Sequence, residues 1–253
     1  MWRDRLALVV VAMIALAAAP QIPSKPPDVL PAAATAQLTR NLGAAAGQRS
    51  NVWRDSPLSN PDGTINGYVE IARGDRRKWE FDVGRNARVI DRVIPPSIGG
   101  YPVNYGFVPQ TVSYDGDPFD ILVLGPAITG GTLVRGVIVG LMHMTDEKGL
   151  DSKVVVSPVA KNGSAIYPLT PADQERIGGY FKRYKLGEPG KFSTVPGWGA
   201  PPEGRAYVAM THAFFRDCRS SEGECVLRSE KKAPVKDFEA APRAHRVAAI
   251  PSS

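Results

Sequence analysis

The sequence predicts a β-rich α+β domain, a small barrel or curved sheet with helices packed against it. Three observations predict it. From about residue 67, short β-branched and aromatic runs are broken by Gly, Pro, Asn and Asp. From Thr170 the apolar period becomes helical. Hydrophobic residues make up 43% of the 253 positions, ample for a folded core. Strands followed by helices around one core give that architecture.

Residues 1–19 place Arg3 and Arg5 before an apolar run from Leu6 to Ala19, with Ala15-Leu16-Ala17 as a small-x-small cleavage site. This is the pattern of an export signal cleaved near residues 17–19. The run is shorter than the roughly 20 residues that cross a bilayer, so the mature chain is expected without stable membrane insertion, in the periplasm or secreted. Residues 20–64 are rich in Pro, Ala, Ser and Asn and read as a linker or N-terminal extension, with one short helix near Ala33 to Leu42.

The folded domain is expected over residues 65–227. Its strands read "YVEIA", "KWEFDV", "RVIDRVI", "NYGFVPQTVSY", "FDILVLG", "LVRGVIVGLMHM" and "SKVVVSP". In "TPADQERIGGYFKRYKLG" Thr170 is the N-cap, Pro171 the first helical residue, Asp173 the capping-box partner and Gly187 the stop. Ile177, Tyr180, Phe181 and Tyr184 share one apolar face. A second helix is expected from about Pro202 to Phe215. Cys218 and Cys225 are the only cysteines, and in an oxidising compartment they are expected to pair.

The net charge of +6 is misleading about partners. The basic tail, residues 228–253, carries six basic and three acidic side chains, so about half the excess belongs to it. Nucleic acid is not required to explain the charge.

Acid concentrates at one strand mouth, "DGDPFD", Asp115 to Asp120. The spacing 1, 3, 6 with Pro118 inserted is not that of a calcium loop, whose ligands fall at 1, 3 and 5 with Gly at 6. A hairpin turn explains Asp115 and Gly116 but leaves Asp117 and Asp120 crowded, and three like charges repel unless cations sit among them. The hairpin "TDEKGLDSK" adds Asp146, Glu147 and Asp151. Carboxylates without a histidine or cysteine cluster suit hard cations, Mg²⁺ or Mn²⁺. Lys78, Glu80, Arg92, Tyr105, Lys153, Tyr184 and Lys185 fall in short polar interruptions or at strand and helix ends, and a metal cluster ringed by Lys, Arg and Tyr is how proteins hold a compact polyanion with phosphoryl oxygens. A non-catalytic barrel module for polyanions or nucleic acid, and a structural calcium-binding domain, are the other readings.

The chain resembles the soluble family I inorganic pyrophosphatases. "DGDPFD" matches their Asp-x-Asp-Pro-x-Asp signature. Further matches follow in order: "VEIARGDRRKWEFD", "VIDRVI", "YPVNYGFVPQT", "MTDEKGLDSK", "YFKRYK" and "GKFSTVPGW". The resemblance implies an OB-like five-stranded barrel and magnesium-dependent hydrolysis of pyrophosphate by water, without a covalent intermediate. It implies Asp115, Asp120, Asp146, Asp151 and Glu70 as metal ligands and Asp117 as the base. Lys78, Arg92, Tyr105, Lys153, Tyr184 and Lys185 would bind substrate, with Glu80 and Asn104 supporting them. It also implies a homo-oligomer, a hexamer among bacterial relatives.

Overall fold

Strands whose residues are buried on both faces build the centre of the molecule. The computed structural model of the protein describes Pro27 and residues 29–219. Helices α1 (Ala32–Ala46) and α2 (Val52–Asp55) come first, then β1 (Ile65–Ile71), β2 (Arg77–Asp82), β3 (Ala87–Val93), β4 (Asn104–Phe107) and β5 (Asp120–Val123). β6 (Leu133–Asp146), β7 (Gly149–Leu150) and β8 (Lys153–Pro158) follow, then α3 (Pro171–Phe181), β9 (Ser193–Gly199) and α4 (Pro201–Arg219).

Strands β1, β4, β5, β8 and β6 pair in that order, and β6 returns to β1, so five strands form a closed ring. Closure leaves no unpaired edge within the ring. This is the expected OB-like architecture. β9 and β7 add to the long β6, and β2 and β3 form a separate hairpin. β8 is buried at every position. Val154 and Val156 join Ile121, Val123 and the α4 residues Tyr207 and Val208, whereas Val155 joins Leu122 and the α3 residues Ile177 and Phe181. A strand covered on both faces reads as a continuous apolar run.

Helix α3 starts as expected. Thr170 Oγ1 accepts from Asp173 N at 3.1 Å, and the Asp173 carboxylate accepts from Thr170 N at 3.3 Å. It ends at Phe181, earlier than the Gly187 stop expected; turns continue to Gly187, whose φ of +89° suits glycine. The second expected helix is α4, longer by one residue at its start and four at its end.

Residues 32–58 are not a bare linker. α1 buries Ala34, Leu38 and Ala45 in one cluster with Phe107, Tyr114, Phe214 and Phe215. In α2, Trp53 is fully buried, donates from Nε1 to the Thr111 carbonyl at 2.9 Å and meets Phe215 edge-on at 5.2 Å. The alanines that resemble linker composition are also the best helix formers, and their small side chains let a helix approach closely. The export signal, Cys225 and the basic tail lie outside the described residues. Cys218 is buried in the α1–α4 cluster.

Candidate active site

Local backbone features aim the acidic side chains at one place. A bulge between Val69 and Ile71 inserts Glu70 as the extra residue of β1, and bulges re-aim side chains. Opposite it Gly106 is required, because a Cβ there would lie 1.8 Å from the Tyr68 carbonyl oxygen. The parallel register Ile121↔Val154 sets Asp120 beside Lys153 at the start of both strands. In the β6–β7 hairpin Asp146 pairs with Gly149, and Asp151 N donates to the Met144 carbonyl at 2.9 Å. The 113–117 turn is tied by Ser113 N to the Asp117 carbonyl at 2.7 Å and by Asp117 N to Asp115 Oδ1 at 3.1 Å. Side-chain capping of this kind is what aspartate does in turns.

These elements meet at a cavity of about 290 Å³. Nine carboxylates and five cationic side chains line it. Glu70, Lys78, Glu80, Arg92 and Tyr105 all face it, as do Asp115, Asp117, Asp120, Asp146, Asp151, Tyr184 and Lys185. Two expected residues lie elsewhere. Lys153 is beneath the lining, 1% exposed, with Nζ 2.5 Å from Asp120 Oδ2 and 2.9 Å from Asp151 Oδ1. Asn104 is fully buried and ties loops together. Its Oδ1 accepts from Arg73 N and Ile128 N at 2.9 and 2.8 Å, and its Nδ2 donates to the Val123 and Pro126 carbonyls at 3.1 and 2.8 Å.

The cavity also receives Asp91, Lys148 and Lys191, to which the sequence reading gave no role. Asp91 Oδ2 joins Lys78 at 3.1 Å and Arg92 at 2.9 Å, and Lys148 Nζ is 3.5 Å from Asp115. The usable signal for Lys148 was its place at the tip of the "DEKG" hairpin. Glu147, read there but given no role, shares Lys185 with Asp146 at 2.8 and 2.7 Å.

Acid outweighs base here, and burial followed by like charge shifts the titration of several groups. Burial raises Glu70 well above the usual carboxylate range, and the Asp120 charge adds to this, although Glu70 Oε1 accepts from Phe81 N at 2.6 Å. Burial and then Asp115 push Asp117 up to about 6, partly offset by hydrogen bonding from Asn41 and by Lys148. Burial likewise raises Asp151, against the pull of Lys153 and with help from Asp120 and Asp146. For Lys153 burial acts downward, but Asp120 and Asp151 outweigh it and hold the ammonium charged. Tyr105 and Tyr184 are raised, first by burial and then by the nearby aspartates, so both phenols are neutral donors.

Among the described residues no three of these groups converge as a ready-made metal centre. Lysine ammonium groups stand between Asp120 and Asp151 and between Asp146 and Glu147. The donor set nevertheless fits divalent cations. It is all hard oxygen, and Glu70, Asp117 and Asp151 are raised above the ordinary range first by burial and then by neighbouring carboxylates, which bound cations would offset.

Comparison with known proteins gives the family. The sequence model described as inorganic pyrophosphatase matches residues 67–216. The chain belongs to the inorganic pyrophosphatase family. It is thus a hydrolase of pyrophosphate in a family dependent on divalent metal, and the non-catalytic polyanion-binding reading is not favoured. The inorganic pyrophosphatase of Saccharolobus solfataricus is 37% identical over 151 residues, covering 57% of this chain and 87% of that protein. That of Ralstonia nicotianae is 38% identical, covering 64% and 96%. The inorganic pyrophosphatase structures from Coxiella burnetii and Thermus thermophilus superpose with TM-scores of 0.59 and 0.60, at 36% and 31% identity. They cover 63% and 66% of this chain, and 99% of each solved chain. α1 and α2 precede the family match.

Proposed function

We propose that the protein hydrolyses pyrophosphate with magnesium, by direct attack of water and without a phosphoenzyme, Asp117 orienting and deprotonating that water. The observation that carries this reading is the single cavity in which the carboxylates face Lys78, Arg92, Tyr105, Tyr184 and Lys185. Asp115, Asp120, Asp146, Asp151 and Glu70 would hold the cations, with Mn²⁺ as a substitute for Mg²⁺. Bound divalent cations supply Lewis-acid polarisation of phosphoryl oxygens and of the attacking water. Asp117 suits a base because its pKa of about 6 lies near working pH. It is also less committed than Asp120, Asp146 and Asp151, each of which accepts from a lysine.

The cationic and phenolic side chains grip the two phosphoryl groups. Arg92 offers a planar guanidinium, and Lys78 and Lys185 offer ammonium charges that offset negative charge as the P–O bond breaks. Tyr105 and Tyr184 add neutral hydroxyl donors. Lys153, under the floor, donates to both Asp120 and Asp151 and holds them in place. Phosphate release from pyrophosphate, followed with and without magnesium, tests the reading; no magnesium-dependent release would overturn it.

We further propose export. The support is the charged, apolar and small-residue order of residues 1–19, together with the two cysteines. Cys218 and Cys225 would then form a disulfide, and the mature protein would act in the periplasm or outside the cell as a homo-oligomer. Sequencing of the mature N-terminus after cell fractionation decides this: an intact Met1 in the membrane fraction would defeat the cleaved-signal reading.

A further inference from the structure

Helix α1 reaches the acidic turn from outside the family match. Its residues 32–46 precede residue 67, where that match begins, yet Asn41 Nδ2 donates to Asp117 Oδ1 at 3.3 Å and to the Gly116 carbonyl at 3.2 Å. Contact with the turn is close. Gly116 has φ +89°, and a Cβ there would lie 2.4 Å from the Ala34 carbonyl oxygen and 2.5 Å from Gln37 Cβ. The helix is held in this position by buried Ala34, Leu38 and Ala45.

The direction of the Asn41 amide is fixed by its neighbours. A guanidinium can only donate. Arg40 Nη2 donates to Gln37 Oε1 at 2.5 Å, so Gln37 presents its NH₂ to the other side. Gln37 Nε2 donates to Asn41 Oδ1 at 3.2 Å. The carbonyl end of Asn41 is thereby occupied, and only its NH₂ end is left for Asp117. Hydrogen bonds in series set the polarity from Arg40 to the carboxylate.

We infer that Asn41 is a positioning residue supplied by the N-terminal extension, the last member of an Arg40–Gln37–Asn41 relay that orients the Asp117 carboxylate. This rests on the reading of Asp117 as the base. With one oxygen held by Asn41, the carboxylate plane is fixed and the other oxygen remains to take the proton.

The full chain with magnesium pyrophosphate tests this. Asn41→Leu keeps the size of the side chain and removes the donor; kcat is expected to fall about tenfold, the scale of one hydrogen bond to a charged acceptor, with KM within about twofold of the parent. Gln37→Glu keeps the partner of Arg40 but replaces the donor facing Asn41 by an acceptor. It should remove the bond that fixes the Asn41 oxygen, loosen the amide, which the Gly116 carbonyl still holds at its NH₂ end, and lower kcat by several-fold without touching the cavity. Thr39→Ala, exposed on the same helix, should match the parent. In an Asp117→Asn background, Asn41→Leu should cause no further loss, because the group it orients is no longer a base. Parental kcat in both Asn41→Leu and Gln37→Glu, or an undiminished Asn41→Leu effect in the Asp117→Asn background, would overturn the inference. Near-normal turnover by Asp117→Asn alone would instead remove the base reading, so the two failures are told apart. If Asn41→Leu fails to fold, Gln37→Glu decides the question.

Discussion

Lys153 Nζ lies 2.5 Å from Asp120 Oδ2 in a side chain only 1% exposed. The pair joins the first residue of β8 to the first residue of β5, and the same ammonium reaches Asp151 at 2.9 Å. A buried ion pair contributes little net stability when intact, but loss of one partner strands the other's charge.

Lys153→Met should therefore destabilise the protein by about 3 to 5 kcal/mol and abolish turnover, since Asp120 and Asp151 would lose the shared donor that holds them in place. A urea denaturation midpoint near that of the parent would contradict the pairing as described.

Asn104→Ala should separate stability from catalysis. Two backbone N–H groups and two carbonyls lose a buried partner, at a cost of about 2 to 4 kcal/mol. Because the side chain does not line the cavity, kcat measured well below the melting temperature should stay within about threefold of the parent.

Leu38→Ala should cost about 2 to 4 kcal/mol, as expected for a fully buried leucine, whereas Thr39→Ala on the exposed face should lie within about 0.5 kcal/mol of the parent. Equal denaturation midpoints for the two would mean that α1 does not share the core.

Magnesium should stabilise the protein more at pH 7.5 than at pH 5. In the folded chain Glu70, Asp117 and Asp151 are all raised, Asp117 to about 6. A raised carboxylate favours the folded state below its unfolded value near 4, and that contribution is lost as pH rises through the folded value. Cations relieve the loss at high pH but must displace protons at low pH. His143 and His212, both lowered chiefly by burial, titrate in either condition and cancel when melting temperatures with magnesium and with chelator are subtracted. A magnesium-induced shift that is larger at pH 5 would refute this.

Much of the site was legible in the sequence because its chemistry is local in the chain. The spacing of Asp115, Asp117 and Asp120, the hairpin carrying Asp146 and Asp151, and the Thr170 capping box need only neighbouring residues to be recognised. Lys148 and Asp91 were less legible, since a charge on a hairpin looks the same whether it faces solvent or a cavity. Asn104 resembled a site residue by its position beside Tyr105; only the strand alternation and the loops around it turned it inward.

What the sequence alone determined is the class of fold, the acidic cluster and the set of basic and phenolic residues that accompanies it, because periodicity and residue type follow from short-range rules. What only the tertiary structure decided is which groups meet. The parallel register of β5 and β8 pairs Lys153 with Asp120, and the docking of α1 on α4 brings Asn41 to Asp117 across 76 residues of chain. A contact of that separation is set by how buried surfaces fit together. No local pattern in an alanine-rich stretch records it.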